Sequence, residues 1–340
     1  MLRIHFTDAD LAKVRLASTA DPLWETVLGL QQLSGPGHVP RVFDAWRRRA
    51  RSVIAEQKLT AAARLLLGLA PAGVPYFPDF LTPAESDDGL RAGLQALRAT
   101  PRTRLRAELN ILMHTLPPSR TATKEWLQGL VAGERLRLDE VAQAAELVHR
   151  AVIEPGWSHA AASVDGHRAS LTRALRDGGV HGLLNSLRPV AAWSPPTLHA
   201  TYPVDRDLYL RGRGLRLVPS FFCWRTPVAM ADPCLPPVLV IPTDRELGWF
   251  PADTRTGHRA ALQALLGPTR ARALAALETT VTNGELARRL GVSDGAASRH
   301  VKALRQANLA NTRREGNRVL HLLTPLGRAL LQGDLPAAPS

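Results

Sequence analysis

Residues 282–324, TNGELARRLGVSDGAASRHVKALRQANLANTRREGNRVLHLLT, constrain the fold more than any other stretch of the chain. Thr282 is a favourable N-cap and Glu285 follows three residues later, the spacing of a capping box. Leu286, Ala287 and Leu290 give the helix that follows one apolar face. Gly291 can end it in a left-handed turn. Ser293 then caps a second helix, in which Ala297, Val301 and Leu304 recur at i, i+4 and i+7. Its other face carries Asp294, Gly295, Ala296, Ser298, Arg299, Lys302 and Arg305. Two helices joined by a tight turn, the second with a small, polar and basic outer face, suit insertion into a DNA major groove. Small residues allow close approach there, and Ser and Arg can reach base edges or phosphates.

The next residues predict a hairpin. Residues 311–323 alternate imperfectly around Glu315-Gly316-Asn317, and Arg313, Arg314 and Arg318 crowd that turn. Arginines at a hairpin tip suit phosphates or a minor groove. Thr324-Pro325 starts a last helix, with Pro at its first position. A solvated basic hairpin beside an ordinary helix pair would share some of these features. The order helix, turn, helix, wing, closing helix favours a winged helix-turn-helix.

Charge supports the same segment. The chain of 340 residues carries +13, yet residues 267–331 alone carry +7, from eleven Lys or Arg against four Asp or Glu. The positive field is thus concentrated where counterion release would drive DNA binding. Arginine abundance alone does not indicate function: only four of the basic residues are lysines, a bias that a GC-rich genome can produce. No run of 18 apolar residues occurs, and MLRIHFTDADLAKVR lacks an apolar signal-peptide core. Cys223 and Cys234 do not make a disulfide framework. These features together predict a cytoplasmic protein with no membrane partner.

The rest predicts a mainly α chain with a small antiparallel β region. A strand is expected at 2–6, then a helix from Thr7 or Asp8 to about Ser18, and another from Asp21-Pro22 to Ser34. Helical patterns follow near 40–56, 59–69, 85–98, 102–115, 122–131, 135–153, 158–177 and 179–187. After Pro189, stretches at 197–202, 207–218, 220–225 and 237–242 are rich in β-forming and aromatic residues, interrupted by Gly and Pro. The resulting division is a helical N-terminal domain at 1–190 with an effector-binding or dimerisation role, a small β-containing region and linker at 191–250, a DNA-binding winged helix at 251–332 and a tail at 333–340.

Catalytic constellations are not evident. No Walker loop, GxSxG, HExxH or GxGxxG motif occurs, and RGRG at 211–214 makes a turn rather than a phosphate loop. His149, His159, His167, His181 and His199 are scattered, and single histidines are mostly structural. Cys223 and Cys234 are expected to be buried and unreactive; a redox pair would need two strands to bring them together. The tryptophans Trp24, Trp46, Trp126, Trp157, Trp193, Trp224 and Trp249 all precede the winged helix and are mostly expected in the core. No enzyme activity, cofactor or metal follows. The alternative is an enzyme or protein-interaction module that carries a DNA-targeting winged helix.

Residues 257–331 resemble the ArsR family of bacterial transcriptional regulators. The resemblance lies in LLGPTRARALAALE, ELARRLGVSDGAASRHVKALRQANL, RREGNRV and LTPLG, about a fifth of the chain. The family implies homodimers on inverted-repeat operators in double-stranded DNA, usually repressors released by a signal. It implies that Ser298 faces the groove and that His300 stands at the backbone edge. The candidate base-facing residues are then Ser293, Asp294, Gly295, Ala296, Ser298 and Arg299. The candidate phosphate or wing residues are His300, Lys302, Arg305, Arg313, Arg314 and Arg318. By the same resemblance, the helix at 257–266 and the last helix from Pro325 are candidates for the dimer seam. The whole chain, through RGRGLRLVPSFFCW and PPVLVIP, looks like the larger regulators of the family. The metal-sensing pattern is missing: the first helix reads Glu285-Leu286-Ala287-Arg288-Arg289 without cysteine, and the last helix has no His, Asp or Glu. A small organic effector, bound before residue 250, is the remaining expectation; a protein partner or a purely dimerising domain is the alternative.

Overall fold

The computed structural model describes residues 1–34, 40–116, 127–128, 135–245, 249–250, 261–315 and 318–332. The chain forms two compact units, Met1–Phe250 and Pro251–Ser340.

The first unit opens with β1 (Leu2–His5) and α1 (Asp8–Leu11). Thr7 caps α1, at the start that the sequence places at Thr7 or Asp8, and forms a capping box with Asp10, but the helix stops after one turn instead of running to Ser18. Residues β2 (Arg15–Leu16) pair in parallel with Arg216–Leu217, so a long-range ladder outcompetes local helix propensity. The helices α2 (Pro22–Ser34), α3 (Asp44–Glu56), α4 (Thr60–Leu69), α5 (Leu90–Arg98), α6 (Arg102–Thr115) and α7 (Arg135–Val148) follow. The helix expected at 122–131 lies largely outside the described residues. A π-helical turn at His149–Ile153 continues α7, and α8 (Trp157–Asn185) carries a non-helical backbone at Gly179, where the sequence pattern separates two helices.

The strands are β3 (Ala191–Ser194), β4 (Thr197–Ala200), β5 (Arg206–Tyr209), β6 (Arg216–Ser220), β7 (Val228–Ala229) and β8 (Val238–Pro242). They form two four-stranded sheets, ordered β3-β4-β1-β5 and β2-β6-β8-β7. The antiparallel sheet expected after Pro189 is corrected in two ways. Both sheets are mixed, because β1–β5, β2–β6 and β6–β8 are parallel. Each also recruits an N-terminal strand, so 191–250 shares one unit with 1–190 and is no separate region.

Buried carboxylates fasten this unit. Glu25, on α2 and 0% exposed, accepts from the backbone N–H of Phe221 (2.7 Å) and Phe222 (2.9 Å) and from the Ser220 hydroxyl (3.1 Å). Burial pushes its carboxyl up to about 7 against the pull of these donors. Arg245 donates to the carbonyls of Phe221 and Thr243 and lies over the Phe43, Phe221 and Trp224 rings, 5.3–5.6 Å from their centroids. The FFCW segment is thereby held between a helix carboxylate and a stacked guanidinium. Cys223 is buried there, its thiol pushed up to about 12 by burial, while Cys234 is exposed; both are free. Trp24, Trp46, Trp193 and Trp249 are core residues, whereas Trp157 and Trp224 are half-buried; Trp126 lies outside the described residues.

His149 is also structural. It is 6% exposed, and its Nδ1 meets Thr26 Oγ1 at 2.9 Å. The Thr26 hydroxyl donates to the Pro22 carbonyl, so the imidazole donates to Thr26. Burial lowers its pKa from 6.5 to about 4. The unfolded chain therefore takes up a proton at this residue as pH falls below 6.5, and the folded chain resists until about 4. The stability His149 confers is present above pH 6.5 and is lost between 6.5 and 4. Asp21, raised to about 6, and Glu25 act with the opposite sign, favouring the folded state at low pH. The wild-type curve mixes these terms, so a difference isolates the histidine. We expect the unfolding free energy of wild type minus that of His149→Gln to shrink steadily from pH 7 to pH 4 in urea titrations. A difference independent of pH would contradict a neutral buried imidazole.

Candidate nucleic-acid interface

The second unit is built from α9 (261–266), α10 (Pro268–Ala276), β9 (Val281–Thr282), α11 (Asn283–Leu290), α12 (Asp294–Gln306), β10 (Ala310–Glu315), β11 (Arg318–Leu323) and α13 (Pro325–Gln332). The local signals of the sequence are used as spaced. Glu285 N donates to Thr282 Oγ1 at 3.3 Å, and Thr282 N donates to Glu285 Oε2 at 2.8 Å. The Thr282 N–H and hydroxyl, both donating to the carboxylate, hold the Glu285 carboxyl below its usual range. Gly291 ends α11 at φ 72°, ψ 35°, the left-handed region in which a side chain would be strained. Ser293 Oγ accepts from Ala296 N at 3.3 Å and opens α12. Asn283 Nδ2 donates to the Asp294 carbonyl at 3.0 Å, which ties the start of one helix to the start of the next.

Leu286, Ala287 and Leu290 of α11 and Ala297, Val301 and Leu304 of α12 all enter one core with Leu274, Leu277, Leu309 and Leu323. Burying that face fixes what α12 shows to solvent. Gly295, Ser298, Arg299, Lys302 and Arg305 fall at i, i+3, i+4, i+7 and i+10, and all are exposed. Ser293 and Asp294 are exposed at the N-terminal end; Ala296 and His300 are half-buried at the margins of the face. The Arg299 guanidinium extends back over Gly295, where a Cβ would lie 3.8 Å from its Nη1. The face is thus built of small residues at its N-terminal end, beneath the Arg299 guanidinium, and is cationic along the rest.

The hairpin stands beside this face in sequence and pairs from Ala310↔Leu323 to Glu315↔Arg318. Arg313 and Arg314 are exposed on β10. Arg313 Nε lies 3.5 Å from Glu315 Oε1, with both side chains largely in water, a weak pair that a phosphate can displace. The turn residues Gly316-Asn317 and the Arg318 side chain lie outside the described residues. His321 of β11 is buried; its Nδ1 is 3.0 Å from Thr312 Oγ1, and burial lowers its pKa. It therefore belongs to the hairpin's packing.

Sequence reasoning missed two arginines with internal duties. Arg272 donates to the Leu290 carbonyl at 3.1 Å, satisfying the C-terminus of α11. Arg289 donates to Thr279 Oγ1 at 2.9 Å. Net charge counts both as DNA-directed; only the fold separates them from Arg299 and Lys302. Among the described residues, no group of three or more His, Cys, Asp or Glu could hold a metal ion, and no helix is long and apolar enough to cross a membrane.

Residues 265–313 match a family model described as a helix-turn-helix domain. No curated protein and no solved structure matches the chain. The match makes this segment a helix-turn-helix DNA-binding domain, and the chain a DNA-binding transcription regulator in the general sense.

Proposed function

We propose that the chain is a homodimeric, sequence-specific repressor of ArsR type, which reads an inverted repeat with a winged helix. The observation that carries this reading is the single exposed face of α12, small at its N-terminal end and cationic beyond, followed in the chain by an arginine-bearing hairpin. In this reading Ser293, Asp294, Gly295, Ala296, Ser298 and Arg299 approach base edges. Asp294 can only accept, which suits a cytosine amino group, and Arg299 suits guanine. His300, Lys302, Arg305, Arg313, Arg314 and Arg318 hold phosphates and fix the register.

Two copies are invoked because one recognition helix reads too few base pairs for a genomic address. Leu265 on α9 is 71% exposed and Leu326 on α13 is 43% exposed. Exposed leucines on the two helices assigned to the dimer seam support that assignment. No chemical step is assigned to the chain, and its signal is an organic molecule rather than a metal.

Selection of genomic DNA fragments on the full-length protein tests the reading. Enrichment of an inverted repeat, with half-sites about one helical turn, on the order of 34 Å, apart, is the expected result. Enrichment of a lone half-site would remove the dimer. Failure to enrich any sequence over bulk DNA would remove the regulator.

A further inference from the structure

Charge is distributed unevenly within the first unit. Met1–Phe250 carries +6, from 30 Lys or Arg against 24 Asp or Glu. Residues 40–70 alone carry +5, from seven Lys or Arg against two Asp or Glu, so the other 219 residues of the unit carry only +1. A genome-wide preference for arginine over lysine does not gather charge into one segment.

This segment forms a 3-10 turn (Arg41–Phe43), α3 and α4, with Gln57-Lys58-Leu59 joining the two helices. Phe43, Trp46, Ala50, Ala63, Leu66 and Leu69 bury one side of both helices in one core. Their other sides meet solvent. Arg41 and Arg48 lie seven residues apart, two turns along one stripe, which Ser52 and Ala55 continue; all four are exposed. A cationic stripe that ends in small residues lets a phosphate backbone come close.

Three of the seven cations have partners. Arg51 Nη2 donates to the Leu33 carbonyl at 2.8 Å, Arg49 lies 3.7 Å from the Glu56 carboxylate, and Arg47 lies 3.8 Å from that of Asp44. Arg41, Arg48, Lys58 and Arg64 are exposed, and among the described residues their side chains make no hydrogen bond or ion pair. Burial, and then Arg51 four residues on, lower the pKa of Arg47. Cations crowded on one helix repel one another, and an anion from outside relieves that repulsion.

The shape of the patch selects the kind of anion. Among the described residues, the large apolar side chains that the first unit exposes, such as Ile111, Leu147 and Tyr209, all lie outside residues 40–70. A protein partner or an inserted membrane surface uses apolar anchors. A polyanion held by its phosphates needs none. Residues 265–313 of the same chain bring duplex DNA to the protein, and covalent linkage raises its effective concentration at the first unit.

We propose that α3 and the start of α4 form a second, sequence-independent DNA contact, which holds phosphates of the duplex through Arg41, Arg48, Lys58 and Arg64. The inference rests on the helix-turn-helix segment binding DNA; it does not rest on the dimer, the inverted repeat or repression.

The test titrates the full chain against a random-sequence duplex at several salt concentrations, so it stands even where operator selection fails. Arg41→Gln, Arg48→Gln and Arg64→Gln are combined in one variant. Their side chains have no internal partner, so circular dichroism and melting temperature should match wild type. A control combines Arg168→Gln, Arg173→Gln and Arg176→Gln on α8, which removes the same charge where Arg168 and Arg176 pair with Asp165 and Asp177. The first variant should weaken the duplex at least about tenfold at low salt and reduce the salt slope by about two to three per chain. The control should stay close to wild type. A slope that the first variant shares with wild type, or an equal fall in the control, would overturn the proposal and leave the helix-turn-helix reading standing. A wild-type chain that retains no duplex would remove that reading as well. Wild type that sediments with phosphatidylserine vesicles, when the first variant does not, would make the patch a membrane contact and overturn the proposal too.

Discussion

Gly327→Ala should unfold the DNA-binding unit or leave it only marginally folded. A Cβ at this position would lie 1.9 Å from the Leu309 carbonyl oxygen and 2.8 Å from its carbon. The obstacle is backbone, so no rotamer change relieves it. The backbone cannot shift freely either, because Thr324 ties the two segments together at this point. Thr324 Oγ1 donates to the Asn308 carbonyl at 2.6 Å and accepts from Gly327 N at 2.9 Å, while Thr324 N donates to Leu309 O at 3.2 Å. Admitting a methyl group means lifting α13 off residues 308–309, which withdraws Leu330 and Leu331 from the core they pack against. Ordinary overpacking costs about 1–3 kcal/mol when side chains can yield; this site should exceed about 3 kcal/mol. For a unit of this size that corresponds to a fall in melting temperature of roughly 12 °C or more. Calorimetry of the full chain, with the transitions of the two units resolved, would show it. A shift below about 4 °C would mean that α13 is not seated on Leu309.

The DNA-binding unit was legible because its signals are local. Thr282 with Glu285, Gly291 and Ser293 each specify backbone geometry within four residues, and the apolar periods of α11 and α12 select the faces that become buried. The exposed face of α12 follows from that period alone. The first unit resisted the same treatment for a physical reason. Leu2 pairs with Ala200 on one side and Arg206 on the other, and Arg15 with Arg216. Parallel pairing requires a long crossover and leaves no hairpin turn to announce it. A helix pattern near 8–18 therefore concealed a strand. Glu25 meets its acceptor-hungry partners at Ser220, Phe221 and Phe222, almost 200 residues away, and looks in the sequence like one more charge on a helix.

Arg299→Ala should produce the largest change in operator affinity of any exposed substitution. Its side chain is solvent-exposed and contributes no core contact, so truncation should leave the fold intact by circular dichroism. A base contact of this kind is worth about 1–3 kcal/mol, and in the proposed dimer on an inverted repeat each contact is used twice, giving about 2–6 kcal/mol per operator. The loss should be confined to particular positions: in the variant, operators mutated at the base pair that Arg299 reads should bind as well as the selected sequence. Lys302→Ala, three residues further along the same exposed face, serves as the contrast. A phosphate contact carries no sequence information, so its loss should weaken all sequences alike and reduce the salt slope by about one unit per copy. Fluorescence anisotropy against a panel of singly mutated operators, at two or more salt concentrations, separates the two signatures. If Arg299→Ala weakened every sequence equally and flattened the salt dependence, Arg299 would be a phosphate ligand, and base reading would fall to Ser298 and the small residues of the N-terminal end at Gly295. If neither substitution altered affinity at low salt, the face of α12 that the core leaves exposed would not be the face that meets DNA.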